Sequence, residues 1–85
     1  MSKEEKLNLL SNPDCSAEVF NELVYDPDPD VRMAVVTHPN CPIDVLYKAS
    51  QDSLYDIRES VLLNPNLPDD IREKIEESSS NIMMH

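Results

Sequence analysis

Three stretches of the chain are alike: Asn12-Pro13-Asp14-Cys15, His38-Pro39-Asn40-Cys41 and Asn64-Pro65-Asn66-Leu67. They follow one another at an interval of 26 residues, twice in succession. A fixed period in the twenties is typical of solenoids, in which each unit buries its apolar face against its neighbours. In this register the 85 residues hold three copies of one unit, at residues 5–30, 31–56 and 57 to about 80.

Each copy contains two apolar patterns with helical spacing, separated by proline. The first places Ile57 and Val61 four residues apart, and Val31 and Val35 repeat that spacing. The residues expected to form repeating layers of the core are Val31, Val35, Val45, Ile57, Val61 and Ile71. The chain shows no alternation typical of β-strands, so the sequence predicts an all-α fold.

Several residues indicate where the helices begin and end. Ser2 and Glu5 fit a capping box, and Asp30 and Asp56 are predicted to be N-caps of the first helix in copies two and three. The second helix of copy three is predicted to end near Glu76. We therefore expect one domain over residues 1–77 and a flexible tail over residues 78–85.

A pattern of aspartate, arginine and Asn-Pro-Asn recurs in copies two and three. In its later occurrence the residues are Asp52, Asp56, Ile57, Arg58, Val61, Asn64, Pro65, Asn66, Pro68 and Asp70. This pattern resembles the repeat of the leucine-rich repeat variant family, a relative in shape of the HEAT-type α-solenoids. The resemblance implies a short right-handed α-solenoid of three two-helix repeats, in which α-helices alternate with short 3-10 helices.

The same resemblance bears on function. The family has no common catalytic activity, so the resemblance implies scaffolding or binding. Some relatives carry a cysteine-rich iron–sulfur segment that has no counterpart in this sequence, and no cofactor is predicted.

The charge of the chain limits its partners. Seventeen acidic residues against seven basic ones give a formal charge of −10. Such a surface repels the phosphates of nucleic acids, so we expect a basic protein partner and no direct binding of DNA or RNA. No apolar stretch approaches the roughly 18 residues of a membrane span, and residues 1–10 do not resemble a signal peptide, which predicts a cytoplasmic protein without membrane contact.

The cysteines and histidines do not indicate a metal site or a catalytic centre. Cys15 and Cys41 are equivalent, and Leu67 takes their place in copy three, so both cysteines are predicted to be buried and reduced. His38 aligns with asparagines and is predicted to be a turn residue, while His85 lies in the predicted tail. The chain has no glycine, which excludes a glycine-rich phosphate loop. We therefore expect no enzyme, and no zinc or iron–sulfur site.

Four residues are predicted to bind the partner: Asp26, Asp28, Tyr47 and Asp52. Alternating Asp and Pro at residues 26–30 superficially resembles a calcium loop, but the glycine and the distal glutamate of that loop are missing. Another interpretation is that Asp26 and Asp52 accept hydrogen bonds from Arg32 and Arg58 or from nearby turns. Asp28 is predicted to lie outside the capping positions.

Tyr47 completes this set. It aligns with Asn21 and Glu73, which predicts a solvent-facing position that holds an aromatic residue in copy two alone. Tyrosine is enriched among the residues that dominate protein interfaces.

These features favour a non-enzymatic protein-binding module whose acidic surface docks on a basic protein. A sharper form of this hypothesis makes the protein an inhibitor, an immunity protein or a nucleic-acid mimic. The alternative is a structural or regulatory repeat protein that self-associates through its end faces, which would make a homo-oligomer.

Overall fold

The computed structural model of the protein describes the backbone of residues 1–83 and the side chains of residues 1–77. It contains six helices: α1 (Lys3–Ser11), α2 (Ala17–Leu23), α3 (Pro29–Val36), α4 (Ile43–Ala49), α5 (Tyr55–Leu63) and α6 (Asp69–Met83). No strand lies within residues 1–83, so the predicted all-α fold is confirmed.

All six helices are α-helical, and the alternation with short 3-10 helices is not found within residues 1–83. The first backbone hydrogen bonds of α3 and α5 show why these helices are α-helical and not 3-10. Arg32 N bonds Asp28 O and Arg58 N bonds Leu54 O, each at 3.2 Å and four residues back. That closure is the α-helical one, whereas a 3-10 turn would bond three residues back.

The helix positions follow the interval of the sequence. We call α1, α3 and α5 the odd helices; they begin at residues 3, 29 and 55. The even helices, α2, α4 and α6, begin at residues 17, 43 and 69. α3 packs directly against both α1 and α5, α2 lies against α1 and α3, and α4 lies against α3 and α5.

One hydrophobic core runs from Leu10 in α1 to Ile75 in α6. Five of the six predicted core residues, Val31, Val35, Val45, Ile57 and Val61, are at most 1% exposed. The sixth residue, Ile71, was predicted to be buried, but it is only half-buried and packs against the edge of the core. Ile75, one turn later in α6, is the residue that becomes fully buried there.

The N-caps of the odd helices differ from those predicted. Ser2 caps α1 in the predicted capping box, since its Oγ accepts from Glu5 N at 3.2 Å. Asp28 caps α3, and Leu54 precedes α5 without a side-chain cap. Asp30 and Asp56 lie inside the first turn, because α3 and α5 begin two residues earlier than predicted, at Pro29 and Tyr55.

The end of α6 also differs from the sequence prediction. The helix continues to Met83, so the predicted end near Glu76 is wrong. Residues 84–85 of the predicted tail lie outside the described residues, and the flexibility of the tail stays a prediction.

The turns after the odd helices are held by the side chain of the residue that precedes each proline. Asn64 is 3% exposed, and its Nδ2 donates to Val36 O at 2.7 Å and to His38 O at 3.0 Å. Its Oδ1 accepts from Asn66 N at 2.8 Å, which closes its own turn. One amide therefore joins the turn of copy three to the end of α3.

His38 makes the equivalent contacts with its ring. Nδ1 accepts from Asn40 N at 3.0 Å, and Nε2 lies 3.0 Å from Asn12 O. Because Nδ1 is an acceptor and Asn12 offers a carbonyl, Nε2 carries the proton and donates it. The ring of Phe20 packs edge-on against His38, with centroids 4.8 Å apart.

Replacing the buried amide tests how much this turn contributes. In Asn64→Leu the carbonyls of Val36 and His38 and the amide of Asn66 lose their partner, so we expect a loss of about 3 kcal/mol in the free energy of unfolding. Urea unfolding followed by circular dichroism measures it.

Asn12→Leu is the matched control. Asn12 is equivalent to Asn64 but exposed, and its side chain bonds only the amide of Asp14 within the described residues. We expect its effect to stay below about 1 kcal/mol. Equal losses in the two variants would contradict the structural role assigned to Asn64.

Candidate functional site

Asp26, the first of the four predicted partner-binding residues, is enclosed by the chain. Its side chain is 6% exposed and its Oδ2 lies 2.5 Å from Lys6 Nζ. Its Oδ1 accepts from Asp28 N at 2.9 Å. The hydrogen bond from Lys6, followed by the one from the Asp28 amide, lowers the pKa of Asp26.

Asp52 occupies the equivalent position one copy later. Its side chain is 7% exposed, with Oδ2 2.8 Å from Arg32 Nε, and its Oδ1 accepts from Leu54 N at 3.0 Å. Arg32 also donates from Nη1 to Asp26 O at 2.8 Å, so one guanidinium connects the two turns. Both aspartates therefore serve the internal structure, and neither carboxylate has a free side for a partner.

The interpretation of Asp26 and Asp52 as internal acceptors is supported. Arg32 and Arg58 donate to the backbone carbonyls of Asp26 and Asp52 at 2.8 and 2.6 Å, and amides of the same turns donate to the two carboxylates. Two further donors were not expected: Lys6 binds the Asp26 carboxylate and Arg32 binds the Asp52 carboxylate, each pair within one copy. The equivalence of Lys6 and Arg32, 26 residues apart, is the sequence signal that could have shown this arrangement.

Asp28 is partly accessible, and it caps a helix. Its side chain is 33% exposed, and its Oδ1 accepts from Asp30 N at 2.9 Å at the start of α3. Lys3 Nζ lies 3.4 Å from Asp28 and 2.7 Å from Asp30. The prediction that Asp28 lies outside the capping positions is therefore wrong.

Tyr47 faces solvent, as predicted. It is 42% exposed, and Ile43, one turn earlier in α4, is 46% exposed. Asp26, Asp28 and Asp52 lie in the turns that lead into α3 and α5. Hydrogen bonds and Arg32 connect these three of the four candidate residues, and none of the described hydrogen bonds joins the Tyr47 ring to them.

Most of the basic side chains are used inside the chain. Lys3, Lys6, Arg32 and Arg72 form ion pairs with aspartates. Arg58 binds a backbone carbonyl, and Lys48 Nζ donates to Asn21 Oδ1 at 2.7 Å. The exposed carboxylates that take part in none of the described ion pairs are Glu4, Glu5, Asp14, Glu18, Glu22, Asp44, Asp56, Glu59, Asp70, Glu73, Glu76 and Glu77.

The two ends of the helical array carry acids at positions that are apolar elsewhere. Glu5 is exposed where copies two and three bury Val31 and Ile57. Glu59 is exposed where copies one and two pack Leu7 and Met33 against the core. Polar outer faces of this kind are typical of the end units of repeat proteins.

A groove lies between α1 and α3, and the sequence analysis did not find it. It encloses about 340 Å³, and its walls include Leu7, Leu10, Pro13, Ala34 and Pro39. The spacing of apolar residues indicates which side chains enter the core. It does not indicate where two neighbouring helices leave a gap between small side chains.

The two thiols differ in exposure. Both are free, Cys41 is buried as predicted, and Cys15 is only half-buried. Burial, with smaller contributions from Asp44 and Cys15, raises the pKa of Cys41 to about 12, and burial also raises the pKa of Cys15.

Three observations complete the description of the site. Within the described residues, no group of three or more His, Cys, Asp or Glu side chains is placed to hold a metal ion. None of the described helices is long and apolar enough to cross a membrane. Comparison of the chain with protein-family models, with curated proteins and with solved structures finds no match.

The acid sensitivity of folding tests the Asp26 ion pair. Because the pKa of Asp26 is lower in the folded chain than the usual 3.8, its stabilisation is present above about pH 4 and is lost as the pH falls through the folded pKa. We expect Asp26→Asn to lower stability at pH 7 by about 2 kcal/mol and to flatten the decline in stability below pH 4.

Glu22→Gln is the control for this measurement, since Glu22 is exposed and outside the described ion pairs. Its stability at pH 7 should stay within about 0.5 kcal/mol of the original chain. Urea midpoints between pH 3 and pH 7 give both quantities. An unchanged acid profile in Asp26→Asn would contradict the ion pair.

Thiol titration tests the difference between the cysteines. At pH 8 we expect one thiol, Cys15, to react with Ellman's reagent in the folded protein, since thiolate is the reactive form and Cys41 is buried. The second should react only in denaturant. Cys15→Ser assigns the reactive thiol, and a fast reaction at Cys41 in that variant would show that the core opens around it.

Proposed function

We propose that the protein is a non-enzymatic binding module that docks its acidic surface on a basic protein. The architecture we propose for it is a right-handed α-solenoid of three units of 26 residues, similar to the leucine-rich repeat variant family. Two observations support this architecture: the helices start at a constant interval, and side chains bond carbonyls of the preceding copy, as Asn64 does with Val36 and His38.

The observation that supports this function most directly is that most of the basic side chains are bound by groups of the same chain. Four of the seven basic residues are bound by aspartates within the chain, and two more donate to neutral oxygens. The exposed carboxylates outside the described ion pairs therefore outnumber the cations outside them, which are Lys48, Arg58 and Lys74. A surface of this kind raises the association rate with a positively charged partner and repels nucleic acid.

Glu5 and Glu59 favour this function over the alternative of self-association through the end faces. An end-to-end contact would bury both glutamates where the interior copies place aliphatic side chains. Burying a carboxylate without a partner is costly. The narrower hypothesis of an inhibitor, an immunity protein or a nucleic-acid mimic rests on the same charge, since the phosphate-binding face of a nucleic-acid enzyme is basic.

Capture from the native host at low salt, followed by binding kinetics with the purified partner, tests the proposal. We expect a basic protein whose association rate falls roughly tenfold between 50 and 300 mM salt. A neutral partner with no salt dependence, or recovery of further copies of this chain alone, would contradict the proposed function.

A further inference from the structure

We propose that the exposed face of the odd helices binds an extended basic segment of the partner, with one aliphatic side chain of that segment seated in the groove between α1 and α3. This inference rests on the proposed function and specifies the surface and the kind of segment that it recognises.

The groove provides the apolar contact. Leu7 and Leu10 of α1 and Ala34 of α3 line it, and Pro13 and Pro39 add apolar surface at the ends of these helices. At the next junction, between α3 and α5, Ser60 Oγ lies 3.2 Å from Met33 Sδ, so these two side chains meet. At the first junction Leu7 and Ala34 are the equivalent residues, and the space between them stays open.

Carboxylates lie on the same helices, about one turn before the groove residues Leu7 and Ala34. Glu4, Asp30 and Asp56 are equivalent and exposed, one in the first turn of each odd helix. Because the odd helices pack directly on one another and the axes of packed helices lie about 8–10 Å apart, the first turns that carry these residues recur at about that spacing. Asp30 is bound by Lys3, whereas Glu4 and Asp56 take part in no ion pair among the described residues.

The spacing of the carboxylates suits an extended segment. In a polyproline II conformation every third side chain points to the same side, about 9 Å further along. Lysine or arginine at every third position would therefore point toward successive carboxylates. A side chain at an intervening position points about 120° away, and we place this second face of the segment toward the groove.

The distribution of lysines favours the odd face over the even one. Among residues 1–77, the exposed lysines are Lys48 and Lys74 on even helices and Lys3 on an odd helix. Lys3 is held by Asp28 and Asp30, so its charge is compensated. Ile43 and Tyr47 are exposed on α4, but Lys48 lies beside them in the sequence and would oppose a cationic segment.

Two labelled peptides of about ten residues serve as probes. Both carry lysine at every third position, and they differ at one intervening position, which is leucine in the first peptide and serine in the second. Fluorescence anisotropy at 50 mM salt gives their affinities for the full chain. We expect the leucine peptide to bind roughly tenfold more tightly, because its aliphatic side chain is buried.

Two substitutions test the groove and the carboxylates. Ala34→Leu fills the groove, and we expect it to remove the advantage of the leucine peptide. Ala17→Leu, the same change at an exposed position of α2, should leave that advantage intact. The double variant Glu4→Gln/Asp56→Asn should weaken both peptides about fivefold, whereas Glu18→Gln/Asp70→Asn, the same change on the even helices, should weaken them much less.

A measurement on the unchanged chain covers the case in which Ala34→Leu does not fold. In ¹⁵N-labelled protein, the leucine peptide should shift the amides of Leu7, Ser11, Ala34 and Thr37 and leave those of Ala17 and Lys48 unshifted. Shifts confined to the even helices would overturn the inference.

The remaining outcomes separate the inference from the proposed function. If both peptides bind with steep salt dependence but respond equally to the odd and even variants, the inference fails and the proposed function stands. If neither peptide binds at 50 mM salt, the inference fails, and the capture experiment decides the proposed function by itself. If sedimentation shows a dimer that Ala34→Leu dissociates, the groove holds a second copy of the chain, and the inference is overturned.

Discussion

The hydrogen bonds from the turns to the preceding copy are the contacts on which the rest of the structure depends. The last carbonyls of an α-helix lack partners within the helix, and many helices satisfy them with a left-handed glycine. This chain has no glycine, and the described residues include no positive φ angle. The amide of Asn64 bonds Val36 O, the last carbonyl of α3, and the ring of His38 bonds Asn12 O at the C-cap of α1. The helices α1 and α3 are therefore each completed by the copy that follows.

A second set of contacts holds the turns to the helices through charge, by ion pairs within copies one and two. Lys6 binds Asp26 and Arg32 binds Asp52, in each case 20 residues apart and at low exposure. Arg32 and Arg58 also donate to the backbone carbonyls of Asp26 and Asp52. The guanidinium of Arg58 lies 5.9 Å from the centre of the Tyr55 ring. These contacts occupy Lys6, Arg32 and Arg58, three of the seven basic residues in the sequence. The architecture and the acidic exterior thus share one cause, since Lys6 and Arg32 bind aspartates within a copy, and Arg32 and Arg58 also bind carbonyls of the copy before.

Periodic features could be predicted from the sequence, and features that depend on a single position could not. Val31 and Val35 recur as Ile57 and Val61, and the repetition alone indicates their burial. The cap of α3 was misassigned by two residues, because Asp28 and Asp30 flank Pro29 and either could cap a helix. The roles of Asp26 and Asp52 depend on Lys6 and Arg32 in other helices, and the groove depends on the size of Ala34. Composition and spacing do not indicate which side chains of different helices meet, or where a small side chain leaves a gap.

The offset between donor and acceptor in these contacts restricts how the length of this chain can change. An insertion of a few residues in the turn after α1 or the turn after α3 would move His38 or Asn64 away from its carbonyl and separate a cation from its aspartate at the same time. Adding a whole copy of residues 31–56 would preserve both sets of partners, because Arg32 and Asp52 both lie within that copy and its His38 would meet the equivalent carbonyl of the copy before it. We therefore expect the gene for this chain to tolerate changes in length by 78 nucleotides, three for each of the 26 residues in the interval. Most intermediate changes in length should prevent folding.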